Sequence, residues 1–265
     1  MKSDLVACIE RVPPLSPAAV EALAALRKDN ADLGLLTQVV SSDPSLAARV
    51  LRLANSPFYG CMGRVGTVRE AGMVLGSRTL YQVVMAAVVM NTVESHFQVD
   101  SGRRWRHAMT AARAAAGLAP GRHGEPELVS TGALLHDLGR IVLGACMREE
   151  FRRVLDVARA EGIELHVAEQ RIFGFDHAAV GAGLARHWHL PEVLSDAIAR
   201  HHTPDAGTAS SLVDLVHVAD VLAHALDEDD EGEVVPVLSP QAWGRLGLHM
   251  DVVAATFAAI AREAA

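Results

Sequence analysis

The chain has 265 residues, enough for one large domain or two of ordinary size, and is 50% hydrophobic but only 4% aromatic. A core so poor in rings must be built from Ala, Val and Leu, which favours close-packed helices over sheets. The formal net charge of −8 argues against a nucleic-acid duplex as the main partner.

Met1-Lys2-Ser3-Asp4 has no basic segment leading into an apolar one, so no signal peptide is expected. The longest uninterrupted apolar run, Val83 to Met90, is too short to span a bilayer, and the expectation is a soluble cytoplasmic protein without a membrane partner. Cys8, Cys61 and Cys146 are odd in number and lack metal or redox spacing. They read as buried thiols in a reducing compartment.

In chain order the start and stop signals are nearly all helical. Ser16-Pro17 offers an N-cap with proline at the first helical position, ahead of Val20, Leu23 and Leu26. Asp43-Pro44 repeats the device before Leu46, Val50 and Leu53, and Asn55-Ser56-Pro57 ends that helix. After a glycine-rich loop, Val68 to Val93 returns to helix with a break at Gly76-Ser77. A loop over 119–127 separates the helix after Trp105 from one carrying His136-Asp137. Residues 148–172 predict a charged helical hairpin broken at Glu161-Gly162. Asp176 caps a helix ending near Trp188, Pro191 starts another, and Ser210 or Ser211 opens an apolar helix through Leu226. The acidic run 227–233 reads as a solvated loop, and Ser239-Pro240 opens the C-terminal helices. No stretch alternates with period two for long enough to demand a strand, so the fold class is all-α.

Several polar residues fall on helix faces that should be apolar. His107 lines up with Ala111, Ala114 and Leu118, and His136 with Val129 and Ala133. His177 shares a stripe with Val180, Leu184 and Trp188, while His201 continues that of Leu194, Ala197 and Ile198. Asp220 joins Val213, Val216 and Ala223. Residues at i, i+3, i+4 and i+7 lie on one face. Within a helix, adjacent His136 and Asp137 sit about 100° apart, close enough to aim at one interior point. An uncompensated buried carboxylate costs several kcal/mol, so Asp137 and Asp220 either pair with protonated histidines in a hydrogen-bonded polar core or share a cation. Imidazole and carboxylate donors without thiolate suit divalent Fe, Mn, Zn, Co or Ni and do not choose among them. His96, His123, His166, His187, His189, His217, His224 and His249 show no such convergence and read as surface or packing residues.

The ordered series His107, His136-Asp137, His177, His201-His202, Asp220 resembles the ligand pattern of the HD superfamily of phosphohydrolases. That resemblance implies one metal held by His107, His136, Asp137 and Asp220. It implies a second at His177, His201 and His202, bridged by Asp137. If the chain is enzymatic, Asp137 and Arg140 would be its catalytic residues, with Arg140 facing a substrate phosphate. Pro14-Leu15-Ser16-Pro17, Asp43 to Ser56 with its Leu-Arg-Leu-Ala-Asn-Ser signature, Val74-Leu75-Gly76 and Phe173 to Gly181 resemble the HDOD domain, a bacterial signalling output module. So does Trp188-His189-Leu190-Pro191 followed by His201-His202. The implied architecture is an N-terminal helical part (1–100) packed on an HD-like helical core with the metal site (101–226), followed by the acidic loop and C-terminal helices (227–265). The implied partners are signalling proteins or a small nucleotide-like ligand. Cyclic-dinucleotide phosphodiesterases of the HD-GYP type differ at two places: they carry a glutamate where this chain has Arg103, and a Gly-Tyr-Pro loop where it has Thr203 to Gly207.

Overall fold

The computed structural model describes residues 2–15, 20, 33–41, 44–55, 63, 65–97, 102–119, 126–226 and 233–264, and every regular element among them is a helix. They fall into two units: Met1–Val12 with Ser101–Ala261, and Pro13–Asp100 with Arg262–Ala265. Ser16-Pro17, Leu23, Leu26 and Cys61, and all of the acidic run except Glu233, lie outside the described residues.

Helix α1 (Lys2–Glu10) belongs to the larger unit. The smaller unit holds α2 (Leu33–Ser41), α3 (Pro44–Ala54) and α4 (Val68–Phe97). Leu36 and Val40 of α2, Leu46, Val50 and Ala54 of α3, and Leu80, Val84 and Val88 of α4 are buried, as their spacing predicts. Gly76 breaks α4 with φ 79 and ψ 161, where the sequence marks a stop. Asn55 explains part of the Leu-Arg-Leu-Ala-Asn-Ser signature. Its Nδ2 donates to the Leu51 and Val65 carbonyls at 3.0 and 2.7 Å, and its Oδ1 accepts the Val65 N–H at 3.1 Å. The side chain thereby ends α3 and fixes the chain ten residues later. Thr67 and Glu70 then form a capping box at the start of α4.

The larger unit continues with α5 (Gly102–Leu118), α6 (Pro126–Leu135), α7 (Leu138–Cys146), α8 (Arg148–Glu161) and α9 (Leu165–Phe173). It closes with α10 (His177–His187), α11 (Glu192–Arg200), α12 (Ser211–Leu226), α13 (Pro240–Leu246) and, as far as Ala261, α14 (Met250–Ala264). Helix α5 packs on α6 and α12, α10 packs on α7 and α11, and α1 packs on α7 and α10. This last contact is why residues 1–12 group with 101–261 and not with the N-terminal part. Small residues allow the close approaches: Ala108, Ala111, Ala112, Ala114 and Ala115 of α5 are all buried. Asp176 and Ser239 cap α10 and α13 through the N–H groups of Ala179 and Ala242.

Two expectations need correcting. His136 and Asp137 are not inside one helix; they form the turn between α6 and α7. Cys8 and Cys146, distant in sequence, come together, with the Cys146 Sγ 3.9 Å from the Cys8 carbonyl oxygen, and Cys146 is only half-buried. Among the described residues one stretch, Leu128–Cys146, has the length and hydropathy of a membrane span, but it is interrupted by the His136-Asp137 turn and is 78% buried within the protein.

Candidate metal centre

His136 and His201 use one local device. Each stands just past the last residue of a helix, α6 and α11, where carbonyls lack intrahelical donors. The His136 Nδ1–H donates to the Ala133 carbonyl at 2.5 Å, and the His201 Nδ1–H donates to Ile198 at 2.7 Å. A carbonyl can only accept, so both rings carry their proton on Nδ1 and present the Nε2 lone pair inward. His177, the first residue of α10, is oriented by Glu169 of α9: the carboxylate takes its Nδ1–H at 2.6 Å and its backbone N–H at 2.8 Å.

These lone pairs converge. The Nε2 of His177 lies 3.3 Å from that of His201, 2.8 Å from that of His202 and 3.0 Å from Oδ1 of Asp137. On the adjoining side, Oδ1 of Asp220 stands 3.0 Å from Nε2 of His107, 3.2 Å from that of His136 and 3.5 Å from that of His224. Asp137 joins the two sides, its Oδ1 being 3.8 Å from His136 and 4.0 Å from His201. Although Asp137 occupies the N-cap position of α7, its side chain makes no capping bond and is left for the cluster and for Arg140. All seven residues expected as ligands are therefore gathered in one place: His107, His136, Asp137, His177, His201, His202 and Asp220.

Glycine makes the convergence possible. A Cβ on Gly139 would lie 1.9 Å from the His177 carbonyl oxygen and 2.7 Å from the Gly181 nitrogen. The start of α7 thus rests directly on the backbone of α10, which brings Asp137 to His177.

The electrostatics follow from burial and pairing. Burial raises the carboxyl of Asp137, but Arg140, His136 and His177 outweigh it and hold Asp137 well below the usual carboxylate range. Asp220 is likewise held low against its burial, by His136, His224 and His107. Burial lowers His177, yet Glu169 and Asp137 raise it to about 10. Burial together with His136 and His177 pushes His201 down to about 3, and burial and the other imidazoles hold His202 well below its ordinary value. His201 and His202 are thus held neutral beside the charged carboxylates.

A divalent cation fits this donor set. Oδ2 of Asp220 is buried and has no hydrogen-bond partner. Three donor groups satisfy the spacing of a metal site and coincide with the expected ligands: His177-His201-His202, His107-His136-Asp137 and His136-His201-Asp220, each with donor atoms within 4.8 Å of one another. The Nδ1–H bonds to backbone and carboxylate are the outer contacts that fix histidine ligands elsewhere. A further group, Glu164-His166-His202, fits poorly. The His166 and His202 rings stack at 4.2 Å and 11°, so their in-plane lone pairs run parallel instead of converging.

Sequence reasoning missed Glu169, His224, His217 and His166. Glu169 is fully buried although α9 belongs to a charged hairpin; its place on the Leu165 and Phe173 stripe was the available signal. His224 lies one turn after Asp220 on the same face, and its ring is 4.3 Å from that of His107. His217 donates from Nδ1 to the His201 carbonyl at 2.7 Å and accepts the Ser239 N–H on Nε2 at 2.9 Å, tying α13 to the centre. Arg103 is exposed on α5.

An HDOD domain matches residues 12–204. The chain belongs to the HDOD family. An HDOD domain protein from Geobacter sulfurreducens is 25% identical with a TM-score of 0.73, covering 99% of this chain and 88% of that one. A candidate signal-transduction protein from Marinobacter aquaeolei VT8 is 26% identical with a TM-score of 0.79, covering 98% of this chain and 62% of that one. A candidate phosphohydrolase from Shewanella amazonensis SB2B is 25% identical with a TM-score of 0.75, covering 99% and 98%. An uncharacterized protein of Treponema pallidum (strain Nichols) is 27% identical over 237 residues, 86% of this chain but 45% of that protein. This HDOD chain therefore spans about half the length of that curated relative.

Proposed function

We propose that this HDOD chain is a signalling output module built around a divalent metal centre, acting on protein partners or a small nucleotide-like ligand. One observation carries the metal: Nε2 of His177 and of His201, each with its Nδ1 proton already committed, stand 3.3 Å apart beside Asp137. Two lone pairs so close repel unless a proton or a cation lies between them. His107, His136, Asp137 and Asp220 would hold one ion, and His177, His201 and His202 the other, with Asp137 shared. The family and its candidate signal-transduction relative support the signalling role.

A second reading, a metal-dependent phosphohydrolase acting on nucleotides or cyclic dinucleotides, has its own observation. The guanidinium of Arg140 is buried against Asp137, with Nη1 at 3.0 Å from Oδ2, where a phosphate oxygen could be held beside the centre. Bound divalent ions supply Lewis acidity toward a phosphoryl group. Asp137 would orient the site through Arg140 and His177, and the buried surroundings would limit access of bulk water.

Elemental analysis of the purified protein, paired with a nucleotide-hydrolysis panel, separates the readings. Stoichiometric metal without turnover supports the output module. Turnover lost in Asp137→Ala supports the hydrolase. Absence of metal after loading with Mn, Fe or Zn overturns both.

A further inference from the structure

Beyond the metal ligands, the larger unit buries a second charged group with an unusual source for one of its members. The Nη2 of Arg140 is held by both carboxylate oxygens of Glu233, at 2.5 and 2.6 Å. Glu233 comes from the strap 233–239, which has no regular structure. The strap runs on to Val237, whose N–H donates to Glu164 at 3.2 Å, and to Ser239, whose N–H donates to His217. Its anchors therefore flank the centre: Arg140 contacts Asp137, while Glu164 lies 3.2 Å from His166, the ring stacked on His202. Val235 and Val237 are 48% and 76% exposed, so polar anchors hold much of the strap.

The guanidinium of Arg140 also has a cationic neighbour. Burial and the nearby Arg140 lower the pKa of Arg104 to about 10, and Glu233 and Asp137 oppose that shift. The Arg104 Nη1 is buried without a hydrogen-bond partner, and Arg104 lines a small cavity with Trp105, Asp137 and Leu138. Removing Glu233 would leave the Arg140 guanidinium with one carboxylate, Asp137, which also lines the cavity that Arg104 lines. One nitrogen, Nη2, meets both Glu233 oxygens while Nη1 stays on Asp137, and a charged N–H donor of this kind suits a phosphate oxygen as well as a carboxylate.

We infer that Arg140 and Arg104 form a phosphoryl-oxyanion site and that Glu233 is an internal anion seated in it, so that the strap blocks the site until it lifts. Glu233 thereby regulates access to the same centre; the inference rests on the proposed function and deepens it. A ligand phosphate and Glu233 compete for one guanidinium, so an incoming phosphate displaces the strap, and strap release by a partner would open the site.

The test uses the full chain, with inorganic phosphate as the probe, in wild type, Glu233→Gln, Glu233→Ala and the double variant Arg140→Gln/Glu233→Gln. Calorimetric titration should give phosphate binding about tenfold tighter or more in Glu233→Gln and Glu233→Ala than in wild type, and the gain should vanish in the double variant. Circular dichroism establishes that each variant is folded. Glu233→Gln keeps the size of the side chain, so a folding failure confined to Glu233→Ala leaves the comparison intact. Equal phosphate affinity in wild type and Glu233→Gln, or no binding to folded Glu233→Gln, overturns the inference. Metal content measured on the same samples keeps the two claims apart. A phosphate gain in protein that stays metal-free after loading with Mn, Fe or Zn defeats the metal reading alone, whereas metal retained without a phosphate gain defeats this inference alone.

Discussion

Oε2 of Glu169 accepts both the backbone N–H and the Nδ1–H of His177, so one fully buried carboxylate sets the position and the tautomer of the imidazole facing Asp137. Histidine ligands depend on such outer partners, whose loss commonly lowers metal affinity about 10- to 100-fold. Glu169→Gln keeps the shape but weakens both hydrogen bonds and removes the charge. The expected outcome is a folded protein whose metal affinity, measured by competition with a chromophoric chelator, falls within that range. Unchanged affinity would show that His177 is oriented without Glu169.

Gly139 makes a different demand. Its Cβ would meet the backbone of α10, 1.9 Å from the His177 oxygen, and backbone cannot rotate aside as a flexible side chain can. Gly139→Ala must push α7 away from α10, at a cost of roughly 1–3 kcal/mol or more by the usual scale of overpacking. The same shift carries Asp137 away from His177. Chemical denaturation should record the lost stability, and elemental analysis should record lost metal in the folded fraction. At Gly181 the nearest obstacle is the Cγ2 of Ile198, at 2.9 Å, so Gly181→Ala is expected to cost less.

The helical fold was legible because its punctuation is local. Asp176 and Ser239 cap the helices that their positions announce, and Gly162 ends α8 in the left-handed conformation that a glycine before Ile163 suggests. The convergence of His107, His177, His201 and Asp220 was legible because a polar residue on an apolar stripe is carried into the interior, where it must meet a partner. The turn at His136-Asp137 was not, since apolar residues continue on both sides and no Gly or Pro marks the break. Glu169 and His224 were hidden for a related reason. Their roles depend on which helix packs opposite, and that is set by close approaches such as Gly139 on α10, which no periodicity encodes.

Asn55 offers a test of the N-terminal signature that is independent of metal. Its amide makes three hydrogen bonds to backbone groups of Leu51 and Val65. Asn55→Ala leaves those groups unsatisfied or solvated, with an expected loss of about 1–3 kcal/mol. Hydrogen exchange should accelerate in α3 and at Val65 while protection in α10 and α12 is retained, because those helices belong to the other unit. Equal acceleration in both units would mean that Asn55 supports more than its own loop.

Metal removal tests the centre as a source of stability. A ligand that binds only the folded chain stabilises it by about 2.7 kcal/mol when present at a hundred times its Kd. Chelation should therefore lower the Tm, and re-addition of Mn, Fe or Zn should restore it. Asp220 contacts His107, His136 and His224 through one oxygen, so Asp220→Asn removes the charge around which that side of the centre is arranged. The variant is expected to show a much smaller Tm difference between chelated and metal-loaded protein. His224→Gln should reduce the difference less, because His136 and His107 remain and its own contact is the longest of the three, at 3.5 Å. Equal chelator-induced shifts in wild type and Asp220→Asn would locate any stabilising ion away from Asp220, and with it away from the side of the cluster that His107 and His136 form.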